Sequence, residues 1–349
     1  MVNKKLHIGT KYRPFIIAEM SGNHNQSLGR ALSIVDAAAK SGAHALKLQT
    51  YTAKTITLDV NTGDFVINDP KSLWNGEKLA ELYEKAHTPW EWHKPIFDRC
   101  KKLGIMAFST PFDETAVDFL EDLDMPFYKI ASFESNHFPL LKKIAMTGKP
   151  IVMSTGMATL TELVEAVDTI RSVGKNNQLI LLKCTSAYPA SPKDANLCTI
   201  AHMRNAFDCE VGLSDHTTGI GVALAAVALG ATVVEKHFTI SRADGGVDAA
   251  FSLEPLELAS LVSESERVWQ ALGKVQYGPT KGETESVQFR RSMYISKNLK
   301  PGDKLVYGEN IRIVRPGYGL APKYLELFDG HRINKTIKAG TRVSWDLLG

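Results

Sequence analysis

Short runs of β-forming residues alternate with amphipathic, helix-like stretches through roughly the first 270 residues of this 349-residue chain. Eight strands are predicted, at residues 15–19, 45–49, 105–110, 127–132, 150–155, 179–184, 210–214 and 233–239. Helical patterns lie between most of them, for example at 28–41, 90–103, 159–173 and 219–229. Eight strand–helix units in about 250 residues have the number and size of a (β/α)8 TIM barrel. The alternation therefore predicts an α/β fold of the TIM-barrel type.

Polar side chains lie at the carboxyl end of every predicted strand, where the active site of a TIM barrel forms. A doubly wound sheet would gather such groups at one switch point instead. Polar strand ends also arise because loops face water, and that explanation suits about half of these residues. They are Glu19, Lys47, Gln49, Ser109, Thr110, Lys129, Ser132, Ser154, Thr155, Lys183, Thr185, Ser186, Ser214, Asp215, His216, Glu235, Lys236 and His237. Their presence on every strand favours the barrel.

Three of these residues are lysines within otherwise apolar strands: Lys47, Lys129 and Lys183. Lysine is seldom buried unless an opposite charge or hydrogen-bonding groups surround it. Lysines that converge with serine and threonine hydroxyls bind anions with several oxygens, such as a phosphate or a carboxylate. The sequence therefore predicts an anion site inside the mouth of the barrel.

His216 and His237 end two strands that are neighbours in a barrel, so both imidazoles can face one point above the core. Separate surface or helix-capping roles are the plainer interpretation of any two of the ten histidines. With the barrel in place we expect a metal site, because nitrogen ligands with an open coordination sphere suit Mn²⁺, Co²⁺ or Zn²⁺. The sequence has no HExxH or EF-hand pattern that would place a metal elsewhere.

Composition excludes several other classes of protein. The chain has 41 Lys and Arg against 38 Asp and Glu, a net charge of +3 that gives no case for a nucleic-acid or membrane partner. Hydrophobic residues make up 44%, which excludes a disordered chain. Four scattered cysteines, no apolar leader and no run of about 18 apolar residues predict a soluble cytoplasmic protein.

The connection from residue 51 to residue 85 is too long for an ordinary link between a strand and a helix. Connections of this length in compact domains usually cover a site or bind a partner. We therefore expect this segment to cover a site or to bind a partner.

The alternation stops after the predicted barrel, residues 1–275. Residues 276–288 are turn-rich and predict a linker, followed by a small domain at 289–349. In that domain LKPGDKL at 299–305 recurs as IKAGTRV at 337–343, each copy predicting strand–turn–strand. About sixty residues bury little surface, so docking onto a barrel of the same or another chain would stabilise them. Arg315, on a proline-containing turn, suits a carboxylate ligand, and a surface role fits the pattern equally well.

The chain resembles the sialic acid synthase family along its whole length. The matching stretches, in order, are AEMSGNHNQSL, ALKLQTY, FSTPFDE, YKIASFE, IVMSTGMA, GLSDHT, VVEKHFT and VRPGYGLAP. The resemblance implies a TIM barrel followed by a small antifreeze-like (SAF) domain. Within the family, HTPWEWHKPIF, STPFDETAVDFLE and GGVDAAFSLEP are most similar to the pseudaminic acid synthase branch.

That branch implies condensation of phosphoenolpyruvate with 2,4-diacetamido-2,4,6-trideoxy-L-altrose to give pseudaminic acid and phosphate. An N-acetylneuraminate or legionaminate synthase that uses another acetamido sugar is the alternative. The resemblance also implies a homodimer in which the small domain of one chain covers the barrel of the other and brings Arg315 to it.

The family's functional residues match positions of this chain, and their roles are those that the resemblance implies. The metal ligands are His216 and His237, with Mn²⁺ as the expected ion and Mg²⁺ or Co²⁺ as alternatives. The phosphoenolpyruvate contacts are Lys47, Thr110, Lys129, Ser132, Ser154, Ser186 and Ser214. The sugar contacts are Glu19, Gln49, Tyr188, Glu235, Asp248 and Phe289. Many neuraminate synthases have asparagine at the position of Ser186, which makes this contact a departure from the family pattern.

Two carboxylates are candidate catalytic groups besides the histidines. We expect Glu235 to handle the proton of an attacking water and Glu19 to orient the sugar, although the sequence leaves the division of roles open. Two other functions fit the same scaffold. One is a phosphosugar aldolase with Lys129 or Lys183 as a Schiff base, and the other is a sugar-binding regulatory protein without catalysis.

Overall fold

The computed structural model describes residues 7–70, 72, 74–174 and 177–348, in two compact units, Met1–Gly273 and Lys274–Gly349. The strands of the first unit are β1 (Phe15–Glu19), β2 (Ala45–Thr50), β3 (Met106–Pro111), β4 (Tyr128–Ile130), β5 (Ile151–Ser154), β6 (Leu179–Cys184), β7 (Glu210–Asp215) and β8 (Val233–His237). Each strand pairs in parallel with the next, and β8 pairs with β1 to close the barrel. The TIM barrel predicted from the alternation is thereby confirmed.

Several helices of the first unit begin at residues whose side chains cap them. The helices of this unit are α1 (Leu28–Lys40), α2 (Ala53–Ile56), α3 (Leu79–Ala86), α4 (His93–Leu103), α5 (Glu114–Asp122), α6 (Phe138–Met146), α7 (Leu160–Val173), α8 (Thr199–Phe207), α9 (Gly221–Ala228) and α10 (Pro255–Leu272). Thr159 and Glu162 form a capping box at α7, and Asp113 accepts two backbone amides at the start of α5. None of the described helices is long and apolar enough to cross a membrane.

The long connection after β2 has secondary structure of its own. It contains α2 and α3, and Val66 forms an antiparallel bridge with Lys78 between them. Residues 71 and 73 of this connection lie outside the described part of the chain.

An apolar layer closes the inside of the barrel beneath the strand ends. Successive side chains of a strand point to opposite faces, so Phe108 and Thr110 of β3 share the inner face. The ring of Phe108 packs against that of Phe127, with centroids 4.0 Å apart, and both side chains are buried. Polar residues further along the inner faces therefore lie above this layer, at the carboxyl end.

The second unit is small and β-rich, as predicted. It contains an antiparallel pair, β9 (Ser292–Ile295) and β10 (Ile311–Val314), and a short helix, α11 (Leu325–Phe328). The two repeat copies pair with each other, because the amides of Leu299 and Ile337 each donate to the other's carbonyl. Both copies turn on a glycine of positive φ, Gly302 at 94° and Gly340 at 86°, a conformation that glycine adopts at low cost.

Candidate active site

A buried network of charges lies at the carboxyl end of the barrel. Lys47 Nζ is 2.7 Å from Glu19 Oε2 and 3.7 Å from Glu235 Oε1. The same ammonium donates to Thr110 Oγ1 at 3.3 Å. Burial lowers the pKa of Lys47, but the carboxylates of Glu19 and Glu235 outweigh burial and raise this pKa above its usual value. Lys47 therefore stays charged in the interior.

Lys129 forms the other half of this network. Its ammonium donates to Ser154 Oγ at 2.8 Å and lies 3.4 Å from Glu235 Oε1, to which Ser214 donates at 3.3 Å. Burial lowers the pKa of Lys129. Burial raises the pKa of Glu235, but Lys129 and Lys47 act against it and lower this pKa to about 2. Glu235 is thus a carboxylate, and its buried Oε2 has no hydrogen-bond partner among the described residues.

Two further hydroxyls face the backbone of Gly156, just beyond β5. The amide of Gly156 donates to Ser132 Oγ at 3.0 Å. A side chain at this glycine would collide with the hydroxyls of both Ser132 and Ser186. The missing side chain therefore keeps a small polar space open, of the kind that accepts the oxygens of a phosphate or carboxylate.

Polar contacts continue from Glu19 towards the rim. Gln49 Nε2 donates to Glu19 Oε1 at 2.9 Å and to Ser21 Oγ at 3.0 Å. Burial raises the pKa of Asp248, but contacts with His237 and Ser21 outweigh it and hold this pKa below its usual value. Asp248 Oδ2 lies 3.4 Å from His237 Nδ1, so these contacts join the ion-pair network to the histidines.

His216 and His237 face each other at the ends of β7 and β8, with ring centroids 5.3 Å apart. His216 Nδ1 lies 2.9 Å from the carbonyl oxygen of Thr185, so Nδ1 donates there and Nε2 is the nitrogen left for another partner. His237 Nδ1 is buried, and its contact with Asp248 Oδ2 at 3.4 Å lacks the geometry of a hydrogen bond. Among the residues that the structure describes, no three or more His, Cys, Asp or Glu side chains form a cluster that could bind a metal. The pair fits a divalent ion that takes its other ligands from water or substrate.

Aromatic rings border the histidine pair on one side. Tyr188 lies 4.4 Å from the ring of His216, and Phe251 lies 4.9 Å from the ring of His237. Trp74, from the long connection after β2, lies 6.1 Å from Tyr188, and its indole donates to a backbone carbonyl of the connection after β8. The long connection therefore reaches the rim of the site. Its length was a signal for this position, but Trp74 and Phe251 were not predicted.

Sequence reasoning also missed two titratable groups. Glu134 lies in a turn directly after β4, and burial raises its pKa to about 7. Cys184 Sγ lies 4.0 Å from His216 Nδ1. Burial raises the pKa of Cys184, but contacts with His216 outweigh burial and lower it to about 7. Both residues end or follow a strand, which is the signal that could have found them.

The prediction that Lys183 joins the other two lysines is wrong. Cys184 pairs in register with the inward-facing Ser214, so strand alternation turns Lys183 to the outer face. It is only partly buried, and its ammonium donates to the carbonyl of Cys184 at 2.8 Å. The third fully buried lysine is Lys236, which also leaves the inner face.

Two predicted site residues belong to the second unit. Phe289 is 56% exposed, and Arg315 is exposed on the loop after β10. Their predicted contacts with a barrel stay predictions, as do the roles of the residues that the barrel brings together.

Comparison with known proteins gives full-length relatives. The NeuB family pattern matches residues 34–277, and the SAF domain pattern matches residues 290–349. The pseudaminic acid synthase of Campylobacter jejuni is 42% identical over 96% of this chain and 96% of its own length. The N,N'-diacetyllegionaminic acid synthase of the same species is 37% identical, covering 93% of this chain and 97% of its own. The crystal structure of Leptospira borgpetersenii N-acetylneuraminic acid synthetase with citrate superposes with a TM-score of 0.71 at 33% identity, over 82% of this chain and 94% of its own.

Proposed function

The chain belongs to the NeuB family, and we propose that it condenses phosphoenolpyruvate with 2,4-diacetamido-2,4,6-trideoxy-L-altrose to give pseudaminic acid and phosphate. It is a phosphoenolpyruvate-dependent nonulosonic acid synthase, an enzyme that forms a carbon–carbon bond. The observation that carries the proposal is the 42% identity to a pseudaminic acid synthase across 96% of both chains. The legionaminate and neuraminate activities of the other relatives are the alternatives.

The network inside the barrel has the chemistry to bind the enol phosphate. Lys47 and Lys129 are buried cations, and each contacts a hydroxyl of a neighbouring strand. We assign the phosphate and carboxylate oxygens of phosphoenolpyruvate to these lysines, to Thr110, Ser154 and Ser214, and to the hydroxyls around Gly156. Such groups stabilise negative charge strongly because they are already in place and shielded from water.

The reaction needs a proton acceptor close to the enol phosphate. The enol carbon C3 attacks the sugar aldehyde, which forms the carbon–carbon bond and leaves positive charge at C2. The former aldehyde oxygen takes up a proton, and water adds to C2. The hydroxyl formed at C2 then becomes the ketone of the product as the bond between C2 and the bridging oxygen breaks and phosphate leaves. Glu235 accepts the proton of this water in our proposal, because its buried Oε2 is free of hydrogen bonds in the described chain. Glu19, fixed by Lys47 and Gln49, orients the sugar hydroxyls.

A divalent ion, with Mn²⁺ as the first choice and Mg²⁺ or Co²⁺ as alternatives, would be held by His216 and His237. As a Lewis acid it would polarise the aldehyde oxygen of the sugar. Support comes from the closeness of the two rings and from the hydrogen bond between His216 Nδ1 and Thr185, which leaves Nε2 as the nitrogen that a metal would take in the neutral ring. Asp248 beside His237 and Tyr188 beside His216 orient the two imidazoles and border the sugar.

We also propose a homodimer in which Arg315 and Phe289 act on the barrel of the partner chain. Support comes from the exposure of both side chains and from the membership in the family. A cytoplasmic location is proposed because Cys100, Cys184, Cys198 and Cys209 are all free thiols.

The test of the function is a comparison of sugars. With Mn²⁺ and phosphoenolpyruvate, the protein should release phosphate and form a nine-carbon acid fastest with the trideoxy altrose sugar. Faster consumption of N-acetylmannosamine or of the legionaminate precursor would replace the proposed substrate while keeping the reaction. Substrate-dependent covalent labelling on borohydride treatment, without phosphate release, would instead support a Schiff-base aldolase.

The metal proposal has its own test. His216→Ala and His237→Ala should each abolish turnover and weaken Mn²⁺ binding, measured from the paramagnetic resonance signal of free Mn²⁺. Circular dichroism should show an intact fold. A double variant that still turns over would contradict the metal role of both histidines.

A further inference from the structure

A buried ion pair lies directly behind the two histidines. Lys236 has 0% of its surface exposed, and its ammonium lies 3.0 Å from Asp215 Oδ2. Lys236 stands between two residues of the site, Glu235 and His237, and Asp215 directly precedes His216. Because Glu235 points into the barrel, strand alternation turns Lys236 to the opposite face, towards the helices. Neither member of the pair therefore contacts the reaction space.

Two contacts connect this pair to the backbone of Thr217, directly after His216, and Asp215 itself directly precedes His216. The ammonium of Lys236 donates to the carbonyl of Thr217 as well as contacting Asp215. The other oxygen of Asp215, Oδ1, accepts the amide of Thr217 at 2.9 Å. Residues 215 and 217 are thus tied to β8 at the position next to His237. The register of the barrel, in which Asp215 pairs with Lys236, places the two residues side by side.

Stability alone gives a weak reason for an ion pair at this place. Removing two charges from water is expensive, and well-packed apolar residues of similar volume are often as stabilising or more so. Val234, two residues earlier on the same face of β8, is fully buried, so an apolar side chain packs between this strand and the helices. The ion pair between Lys236 and Asp215 has directional contacts, which apolar packing lacks. These contacts fix the position of the end of β7 relative to the end of β8.

We propose that Lys236 and Asp215 are positioning residues, which hold His216 and His237 at the spacing and orientation needed to bind one divalent cation. The inference rests on the metal role proposed above for the two histidines. Residues behind metal ligands orient them, and removing such residues typically weakens metal binding about 10–100-fold. Here the support acts on the backbone of the ligands, since the ring contacts of His216 and His237 go to Thr185 and Asp248.

The test replaces the pair by apolar residues in the double variant Asp215→Leu/Lys236→Met. Neither charge is left unpaired, so we expect a folded protein, with a melting temperature lowered moderately because the amide and carbonyl of Thr217 lose their partners. Its dissociation constant for Mn²⁺, measured without substrates by paramagnetic resonance, should rise about 10–100-fold. The KM for phosphoenolpyruvate should change little, because Lys47 and Lys129 are untouched.

A matched control removes an ion pair elsewhere. Arg99 and Asp36 form a two-point pair between α4 and α1, with distances of 2.6 and 2.7 Å. Asp36→Leu/Arg99→Met should leave Mn²⁺ affinity at the wild-type value. The single variant Asp215→Asn keeps an oxygen for the amide of Thr217 but loses the charge, and we expect an intermediate Mn²⁺ affinity.

The outcomes separate this inference from the proposals that it rests on. A folded Asp215→Leu/Lys236→Met protein with wild-type Mn²⁺ affinity would overturn the positioning role alone. Mn²⁺ binding that survives His216→Ala/His237→Ala would overturn the metal site, and the positioning role with it. Normal Mn²⁺ binding by the wild type with no phosphate release from any sugar would refute the proposed reaction and leave the positioning role standing.

Discussion

The two units of the protein differ in whether they bury charged side chains. The mouth of the barrel buries Glu19, Lys47, Lys129 and Glu235 among apolar strands. The core of the second unit consists of Met293, Ile295, Leu299, Leu305, Ile311, Phe328, Ile333, Ile337, Val343 and Leu347. No charged side chain is buried in the described part of that unit. Buried charge lowers stability unless it is paired, so its presence marks a site, whereas an apolar core shows only that the unit folds.

The same difference explains which functional residues are visible in each unit. In the barrel, a lysine inside an apolar strand is improbable enough to suggest chemistry. In the second unit, Arg315 and Phe289 are exposed like many surface residues, and no energetic cost distinguishes them. Their assignment therefore depends on the family and not on their surroundings.

Of the substitutions that test this comparison, Lys129→Met should have the largest effect on both the stability and the activity of the barrel. Removing the ammonium leaves Glu235 with one fewer buried partner, and we expect a loss of about 3–5 kcal/mol in the free energy of unfolding. Turnover should fall about 10²–10³-fold, as when one preorganised electrostatic contact to a reacting anion is lost. Urea denaturation and phosphate release measure the two effects. Lys183→Met is the control, and it should cost less than about 1 kcal/mol because that lysine is only partly buried.

A cavity made by truncating a core residue of the second unit should destabilise that unit and leave the barrel unaffected. Leu305 has 0% exposure, so Leu305→Ala should cost about 2–3 kcal/mol, the lower part of the range for such truncations, because a small unit can partly collapse around the cavity. Hydrogen exchange should accelerate in peptides from 290–348 and stay unchanged in those from β1 to β8. Equal acceleration in the barrel would show that the two cores unfold as one and would break the comparison.

Glu134, in the barrel, should make the stability of the protein depend on pH. Burial raises the pKa of Glu134 from 4.5 to about 7, so the folded protein holds this proton over a range in which the unfolded chain releases it. The stability contribution of the neutral group is complete below pH 4.5 and is lost as the pH rises through 7. Glu134→Gln should therefore stabilise the protein by about 1–2 kcal/mol at pH 8, a value reduced for partial solvent screening.

Thermal unfolding between pH 5 and pH 8 measures the effect of Glu134→Gln. The difference from the wild type should be small at the acidic end and grow with pH. A constant difference would show that Glu134 does not hold its proton in the folded barrel.

Arg315 should give the smallest effect on stability. Because the side chain is exposed, Arg315→Ala should change the free energy of unfolding by no more than about 0.5 kcal/mol. Activity should fall about 10–100-fold if the guanidinium binds a charged substrate group. Mixing Arg315→Ala chains with His237→Ala chains should restore activity, since one barrel in the mixed dimer would have both groups. Mixed chains that stay inactive would contradict an arginine supplied by the partner.

Much of the barrel and its site could be predicted because the relevant signals are local. Strand β6 has the predicted bounds, and β4 is shorter because a turn at Ser132–Glu134 begins directly after it. Lys47 and Lys129 face inwards as expected. Lys183 does not, because a one-residue difference in a strand reverses the face and no local property of LLKC reveals which face is inside.

The sequence by itself determined the number of strands, the carboxyl-end position of the polar groups and the matching turns of the repeat. These follow from residue periodicity, turn chemistry and the cost of burying charge, which act within a few residues along the chain. Only the tertiary structure decided that Glu235 meets both Lys47 and Lys129, that Trp74 reaches Tyr188 and that Lys236 pairs with Asp215 behind the histidines. Those contacts depend on barrel closure and strand register, which join residues far apart in sequence and leave no local pattern.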